Sequence, residues 1–298
     1  MEELVKVKEQ IKVFMDEIGD KKSLELFDLL SEGKMLRSKL ILKIAGSSDQ
    51  SIKLCAIVEM IQSASLLHDD VIDEAHTRRG KPSINALFDN KTSIMFGDIL
   101  YSKAFTELTQ LRSDVAYTIS NSVTLLSIGE MIDVDLTNSF NTSYDKYLDM
   151  IYKKTASLIE ASAKAAALLS CKDPDAFALY GKNLGLAFQM IDDILDITQD
   201  SATLGKPAMF DFVEGKVTIP YLLLNQRIDD KQKLQSLYKK ELSSDEQNWI
   251  KEQMVTTKAL EDSIKKAQKL GLEAIEAIKE YKNEDLENIM NVMINREF

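Results

Sequence analysis

The sequence predicts an all-α domain of about ten or more helices, and three observations lead there. Helix breakers are scarce, with only 4 prolines and 11 glycines in 298 residues. Apolar residues recur at spacings of three and four over long windows, which is the period of a helix face. Alternating β-branched strands of useful length do not occur.

Two apolar series mark central helices. The first is Ile57, Ile61, Ala64, Leu67 (or His68) and Val71; the second is Leu179, Leu184, Ala187, Ile191, Ile194 and Leu195. Both helices are nearly apolar all round, as buried helices are. Clusters of turn and capping residues predict breaks at "AGSSDQS" (45–51), "RRGKPS" (78–83), "TNSFNTS" (137–143), "SCKDPD" (170–175), "LGKPAMFDFVEGK" (204–216) and "LSSDEQ" (242–247). "SSDEQ" also reads as a helix N-terminus with acids in its first turn. No stretch has the composition of a linker, so residues 1–298 are expected to form one domain.

Composition narrows the function. Apolar residues make up 45% and charged residues 29%, the balance of a globular domain. A net charge of -11 argues against nucleic acid as a partner. The 2 cysteines, Cys55 and Cys171, form no metal-ligand spacing and no disulfide framework, so a reducing, cytoplasmic setting is expected. The charged N-terminus does not read as a signal peptide. No apolar run approaches the ~20 residues of a transmembrane segment.

The chemistry lies in "LLHDDVIDEAHTRRG" (66–80), with Asp69, Asp70 and Asp73, and in "FQMIDDILDITQD" (188–200), with Asp192, Asp193 and Asp196. On a helix, residues i and i+4 share a face about 6 Å apart along the axis. Asp69 and Asp73 therefore point one way, as do Asp192 and Asp196. Apolar flanks bury both helices, and unpartnered buried carboxylates repel one another at high cost. A hard divalent cation resolves this. Mg²⁺ takes one or two carboxylates, keeps waters and completes its shell with substrate phosphates. A solvated acidic helix face explains one such motif as well as a metal does. Two copies in matching apolar contexts favour metal and suggest two facing helices. A di-iron bundle would need Glu-x-x-His pairs, which His68 and His76 do not form.

Basic residues complete the set: Lys34 and Arg37 in "GKMLRSK", Arg78 and Arg79 in "TRRGKP", Lys153 and Lys154 before Thr155, then Lys206 and Lys216. Singly, each is an ordinary surface cation. Together with two acidic motifs they suit a substrate carrying more than one phosphate.

These residues, in this order from about Gly33 to Pro220, resemble the trans-isoprenyl diphosphate synthases. The resemblance implies an all-helical fold with a central cavity, commonly a homodimer, and head-to-tail condensation of isopentenyl diphosphate with an allylic diphosphate. It implies Mg²⁺, three ions with substrate bound. The metal ligands would be Asp69, Asp70 and Asp73 in one motif, and Asp192, supported by Asp193 and Asp196, in the other. Arg78, Lys154, Thr155, Gln189 and Lys206 would surround the allylic diphosphate. Lys34, Arg37, Gln62 and Arg79 would hold isopentenyl diphosphate, and Lys216 lies in a family loop near the substrates. Asp69, Asp73, Arg78, Lys154, Asp192 and Lys206 form the expected catalytic set. Transient membrane contact for product release is also expected. Three positions depart from the family: Met35 replaces a frequent Arg, Gln62 stands where long-chain members usually carry His, and Met209 replaces a Gly. No side chain in the motifs reads as a dedicated base. The resemblance assigns the proton to the released diphosphate, and His68 to packing or hydrogen bonding.

A terpene cyclase is disfavoured, because it binds no isopentenyl diphosphate. A non-catalytic subunit of a heteromeric synthase should lack acidic motif residues, and all are present. Product length turns on the residues one helical turn before Asp69, which are the small Ala64 and Ser65. Small residues here leave a tunnel open, floored by Ile57, Ile61 or the helix around Val115–Ile128. A long-chain, octaprenyl-like product of the kind used for quinone side chains is expected, with a farnesyl or geranylgeranyl synthase as the alternative.

Overall fold

The computed structural model describes residues 2–31, 33–199 and 208–295, and they are almost entirely helical. They group into two compact units. One comprises Met1–Val123 with Ala161–Phe177, the other Thr124–Glu160 with Ala178–Phe298. No helix among the described residues is long and apolar enough to cross a membrane.

The first unit opens with α1 (Glu2–Ile18), which buries Val7, Ile11, Phe14 and Met15 along one stripe. Asp20 caps α2 (Lys21–Leu29) by accepting from the Ser23 backbone N–H at 2.8 Å. Helix α3 (Leu36–Ala45) starts after Met35, whose φ of 49° is left-handed. Helix α4 (Asp49–Ile72) starts in a Ser48/Ser51 capping box and is the centre of this unit. Its Leu54, Ile57, Ile61 and Ala64 are fully buried, and each large side chain contributes roughly 1.5–3 kcal/mol by leaving water. A two-residue hairpin follows, β1 (Thr77–Arg78) pairing antiparallel with β2 (Lys81–Pro82). Then come α5 (Ile84–Leu87) and α6 (Asn90–Leu108), the latter capped by Asp89.

Helix α6 packs along α4, and glycine sets how closely. A Cβ on Gly97 would overlap the His68 imidazole and lie 3.3 Å from the Ala64 carbonyl oxygen. Ser93 Oγ donates to the Leu67 carbonyl at 2.9 Å across the same contact. His68 Nε2 bonds the Ile94 carbonyl at 3.1 Å, the hydrogen-bonding role expected of it.

Helix α7 (Ser113–Leu136) passes from the first unit into the second at Val123. The second unit continues with α8 (Tyr144–Ile151), a single π-turn over Tyr152–Ala156, α9 (Ser157–Leu169, shared with the first unit) and most of α10 (Pro174–Thr198). Short helices α11 (Phe210–Val213), α12 (Ile219–Arg227) and α13 (Lys231–Ser236) precede the longer α14 (Ser244–Thr256), α15 (Ala259–Ala277) and α16 (Glu284–Ile294). Its core gathers Tyr147, Met190, Ile194, Phe212, Leu222 and Met254. Phe212 and Tyr221 stack with ring centroids 4.2 Å apart.

The expected breaks fall between helices where described. Ser243 and Glu246 form a capping box at the start of α14, as "SSDEQ" implied. The break over 204–216 is described only from 208 onward, where it contains α11. Several further breaks carry little sequence signal. Between α14 and α15 the chain turns at Lys258, a non-glycine residue at φ 58°.

Candidate active site

The first acidic motif closes α4. Asp69 and Asp70 lie in its last turn, and Asp73 is the C-cap, its N–H bonding the Asp69 carbonyl at 2.8 Å. The three carboxylates have different surroundings. Asp73 is exposed and Asp69 half-buried, whereas Asp70 is 4% exposed. Arg78 meets Asp70 with two donors, Nε and Nη2, each 2.7 Å from Oδ1. The expectation of a metal role for Asp70 therefore meets a carboxylate already neutralised by arginine. The same contact ties Arg78, expected at the allylic diphosphate, back to the protein.

The hairpin makes this possible. Arg79 (φ 53°) and Gly80 (φ 74°) are both left-handed, the signature of a type I′ two-residue turn. Adjacent arginines thereby take different directions. Arg79 Nη1 donates to the Ser31 carbonyl at 3.2 Å. Its guanidinium lies so close to Gly33 that a Cβ there would be 3.1 Å from Nη1.

Of the other residues assigned to isopentenyl diphosphate, Lys34 is exposed, and Arg37 and Gln62 are half-buried. Arg37 Nε is buried without a hydrogen-bond partner among the described residues. Burial pulls the Arg37 guanidinium down to about 10, against the opposing field of Glu59. Ala64 and Ser65, the expected chain-length residues, are both buried, and Ser65 Oγ bonds the Gln62 carbonyl at 2.9 Å.

The second motif repeats the division on α10. Asp192 is exposed, whereas Asp193 and Asp196 are 3% and 2% exposed. Asp193 accepts from Tyr147 OH at 2.5 Å and from Gln189 Nε2 at 2.9 Å. Burial, with Asp211 and Asp192 nearby, pushes its carboxyl up to about 8 despite those two hydrogen bonds. Asp196 accepts from the Asp211 backbone N–H at 3.3 Å, and its own carbonyl accepts from the Met209 N–H at 2.8 Å. Met209, at a position where the resemblance expects Gly, adopts φ 59°. That left-handed conformation costs a residue with a Cβ about 1–2 kcal/mol.

Lys154 and Thr155 sit within the π-turn, a feature common at functional sites. Thr155 Oγ1 donates to Gln189 Oε1 at 2.8 Å, extending the Asp193 network. Lys154 Nζ lies 2.6 Å from Asp133 Oδ2 and 3.0 and 2.9 Å from the two oxygens of Glu130. Sequence reasoning passed over Glu130, Asp133 and Tyr147. The first two had a signal, an acidic i, i+3 pair directly after Gly129 in the apolar-rich stretch "LLSIGEMIDVDL". Lys216 pairs with Glu214 at 3.1 Å. Lys206 lies outside the described residues.

Among the described residues no three carboxylate, thiolate or imidazole groups form a metal cluster. Asp69, Asp73 and Asp192 nonetheless fit magnesium by donor chemistry. They are oxygen ligands reachable from solvent, and Mg²⁺ needs only one or two before waters and phosphates complete its shell.

The described residues form an all-helical fold in which α4 and α10 each end in an Asp-Asp-x-x-Asp motif, the first with Arg78 on Asp70. The chain belongs to the polyprenyl synthetase family, whose model matches residues 24–257. A prenyl transferase of Cyanidium caldarium is 43% identical over 207 residues, 65% of this chain and 64% of that protein. The chain thus aligns with somewhat under two thirds of that relative's length. An octaprenyl pyrophosphate synthase structure from Helicobacter pylori matches 99% of both chains at 44% identity, with a TM-score of 0.94. A polyprenyl synthase from Caulobacter crescentus, complexed with calcium and isoprenyl diphosphate, matches 99% of this chain and 95% of its own, at 29% identity and a TM-score of 0.89.

Proposed function

We propose that this protein is a Mg²⁺-dependent prenyltransferase. It condenses isopentenyl diphosphate head-to-tail with an allylic diphosphate and makes a long-chain, all-trans polyprenyl diphosphate. The observation that carries this reading is the division of labour repeated in both motifs. The leading acids, Asp69 and Asp192, remain reachable, while the acids beside them, Asp70 and Asp193, are buried and tied to Arg78 or to Tyr147 and Gln189. A helix end built only for solvation would not fix the second acid and present the first.

Asp69 and Asp73 would hold metal in the first unit and Asp192 in the second. Bound Mg²⁺ supplies charge neutralisation for a leaving diphosphate. We assign the allylic diphosphate to Arg78, Lys154, Thr155, Gln189 and Lys206, which stabilise negative charge as the C–O bond breaks. Lys34, Arg37, Gln62 and Arg79 hold isopentenyl diphosphate, whose double bond attacks the allylic carbon. The buried, unpartnered Arg37 Nε supports an anion at this second place. Apolar side chains of α4 keep water from the cation.

The small size of Ala64 and Ser65, one turn before Asp69, and the likeness to an octaprenyl pyrophosphate synthase support a long tail. Exposed apolar side chains on α6, namely Ile94, Met95 and Phe105, support a homodimer. Two free cysteines support a reducing compartment, which we take to be the cytoplasm. The test is pyrophosphate release. It should require isopentenyl diphosphate, an allylic primer and Mg²⁺ together. Release from the allylic diphosphate alone would indicate a cyclase, and no release at all would indicate a non-catalytic subunit.

A further inference from the structure

We propose that Glu130 and Asp133 are positioning residues for Lys154, acting through it on the allylic diphosphate; the proposal rests on the prenyl-synthase reading above. Three features of the second unit carry it.

The first is geometry. Glu130 and Asp133 are i and i+3 on α7, so both carboxylates leave the helix on one face. Glu130 Oε1 and Asp133 Oδ2 accept from Lys154 Nζ at 3.0 and 2.6 Å, and Glu130 Oε2 lies 2.9 Å from Nζ without a hydrogen bond among the described residues. An ammonium has three N–H donors. Two carboxylates on one ammonium fix its direction as well as its charge.

The second is the backbone. The π-turn that carries Lys154 is held on two sides by glycines. A Cβ on Gly129 would overlap the Lys154 backbone nitrogen, and a Cβ on Gly185 would lie 2.5 Å from Ala156 Cα. Helix α7 thus grips Lys154 twice, at its backbone through Gly129 and at its head through the next residue, Glu130. Thr155, the neighbour of Lys154, is fixed separately by Gln189 on α10.

The third is charge. Glu130 and Asp133 are 7% and 5% exposed, and the Lys154 side chain is 20% exposed. Two buried carboxylates and one cation leave a net negative charge in a nearly dry place. Hydrophobic residues of the same volume would pack there at less cost. The arrangement makes sense where the lysine must stay charged and aimed while a diphosphate exchanges on and off.

The experiment varies the allylic diphosphate at saturating isopentenyl diphosphate and Mg²⁺, with the whole chain. Asp133→Asn should lower kcat/KM for the allylic substrate about ten- to a hundredfold, as small misplacements of a catalytic group do. The KM for isopentenyl diphosphate should stay within about twofold. Glu130→Gln should lose less, because Glu130 Oε1 accepts from Lys154 Nζ at 3.0 Å whereas Asp133 Oδ2 holds it at 2.6 Å. In a Lys154→Met background, Asp133→Asn should cost less than about twofold more, since residues acting through one group are not additive. Multiplicative losses would show an independent role for Asp133 and overturn the proposal. So would a rise in the isopentenyl diphosphate KM alone, or unchanged kinetics in Asp133→Asn, and these two readouts stand even if Lys154→Met fails to fold. An inactive wild-type chain would instead overturn the reading on which the proposal rests.

Discussion

Arg78→Ala should cost more in stability than a lost substrate contact explains. Asp70 is 4% exposed, and Arg78 places two donors on its Oδ1 at 2.7 Å. Around it, Asn85 Nδ2 bonds the Asp70 and Ala75 carbonyls at 3.1 and 3.0 Å, so the end of α4 has little freedom to turn the carboxylate to solvent. Removing one partner of a buried pair costs about 3–5 kcal/mol, because the other charge stays buried. The Arg78 side chain is 31% exposed, so water enters the space it leaves and the lower end applies, about 3 kcal/mol. For a chain of this size that is roughly 5 °C in Tm. Asp70→Asn with Arg78→Ala removes the stranded charge and should recover about half of the loss. The assay is urea unfolding of the three variants without metal or substrate. A loss under about 1 kcal/mol for Arg78→Ala, or a double variant less stable than the single, would refute the argument.

Four further outcomes are expected. Asp69→Ala and Asp192→Ala should each lower turnover at saturating Mg²⁺ by about a hundredfold or more while circular dichroism stays unchanged, since both acids are solvent-reachable; near-normal turnover would remove the metal assignment. Arg79→Ala should raise the Michaelis constant for isopentenyl diphosphate by roughly 10- to 150-fold, the worth of one charged contact of about 1.5–3 kcal/mol; an effect on the allylic substrate instead would reverse the division of the two sites. Ala64→Tyr should stop products near the fifteen- or twenty-carbon stage with condensation retained, as seen by chromatography; full-length product from this variant would end the gatekeeper assignment. Asp193, raised to about 8 by burial, binds a proton in the folded chain that the unfolded chain loses near pH 4. Its contribution is therefore complete at acid pH and is lost as pH rises to about 8, so the metal-free melting temperature should fall more steeply over that window than in Asp193→Asn. Equal slopes would contradict it.

The sequence and the structure agree where local chemistry decides. Apolar periodicity placed α4 and α10, and "SSDEQ", with its acids in a first turn, marked the start of α14, because caps and helix faces are set by neighbouring residues. Other features depend on partners distant in the chain. Nothing in "DDVID" says that Asp70 turns inward to Arg78 while Asp69 does not. The segment "RRGKPS" reads as a break, but the left-handed Arg79 that makes it a hairpin follows from pairing of β1 with β2. The π-turn over Tyr152–Ala156 has no composition of its own, being held by Gly129 and Gly185 from other helices. Breaks at Lys258 and Lys282 use left-handed lysines where a reader looks for glycine.

The central claim is tested most directly by the product of the wild-type chain. Radiolabelled isopentenyl diphosphate is incubated with Mg²⁺ and geranyl, farnesyl or geranylgeranyl diphosphate, and the dephosphorylated products are separated by reversed-phase chromatography. The account predicts Mg²⁺-dependent elongation to a long chain well beyond twenty carbons. Products that end at fifteen or twenty carbons with every primer that can reach them would contradict it.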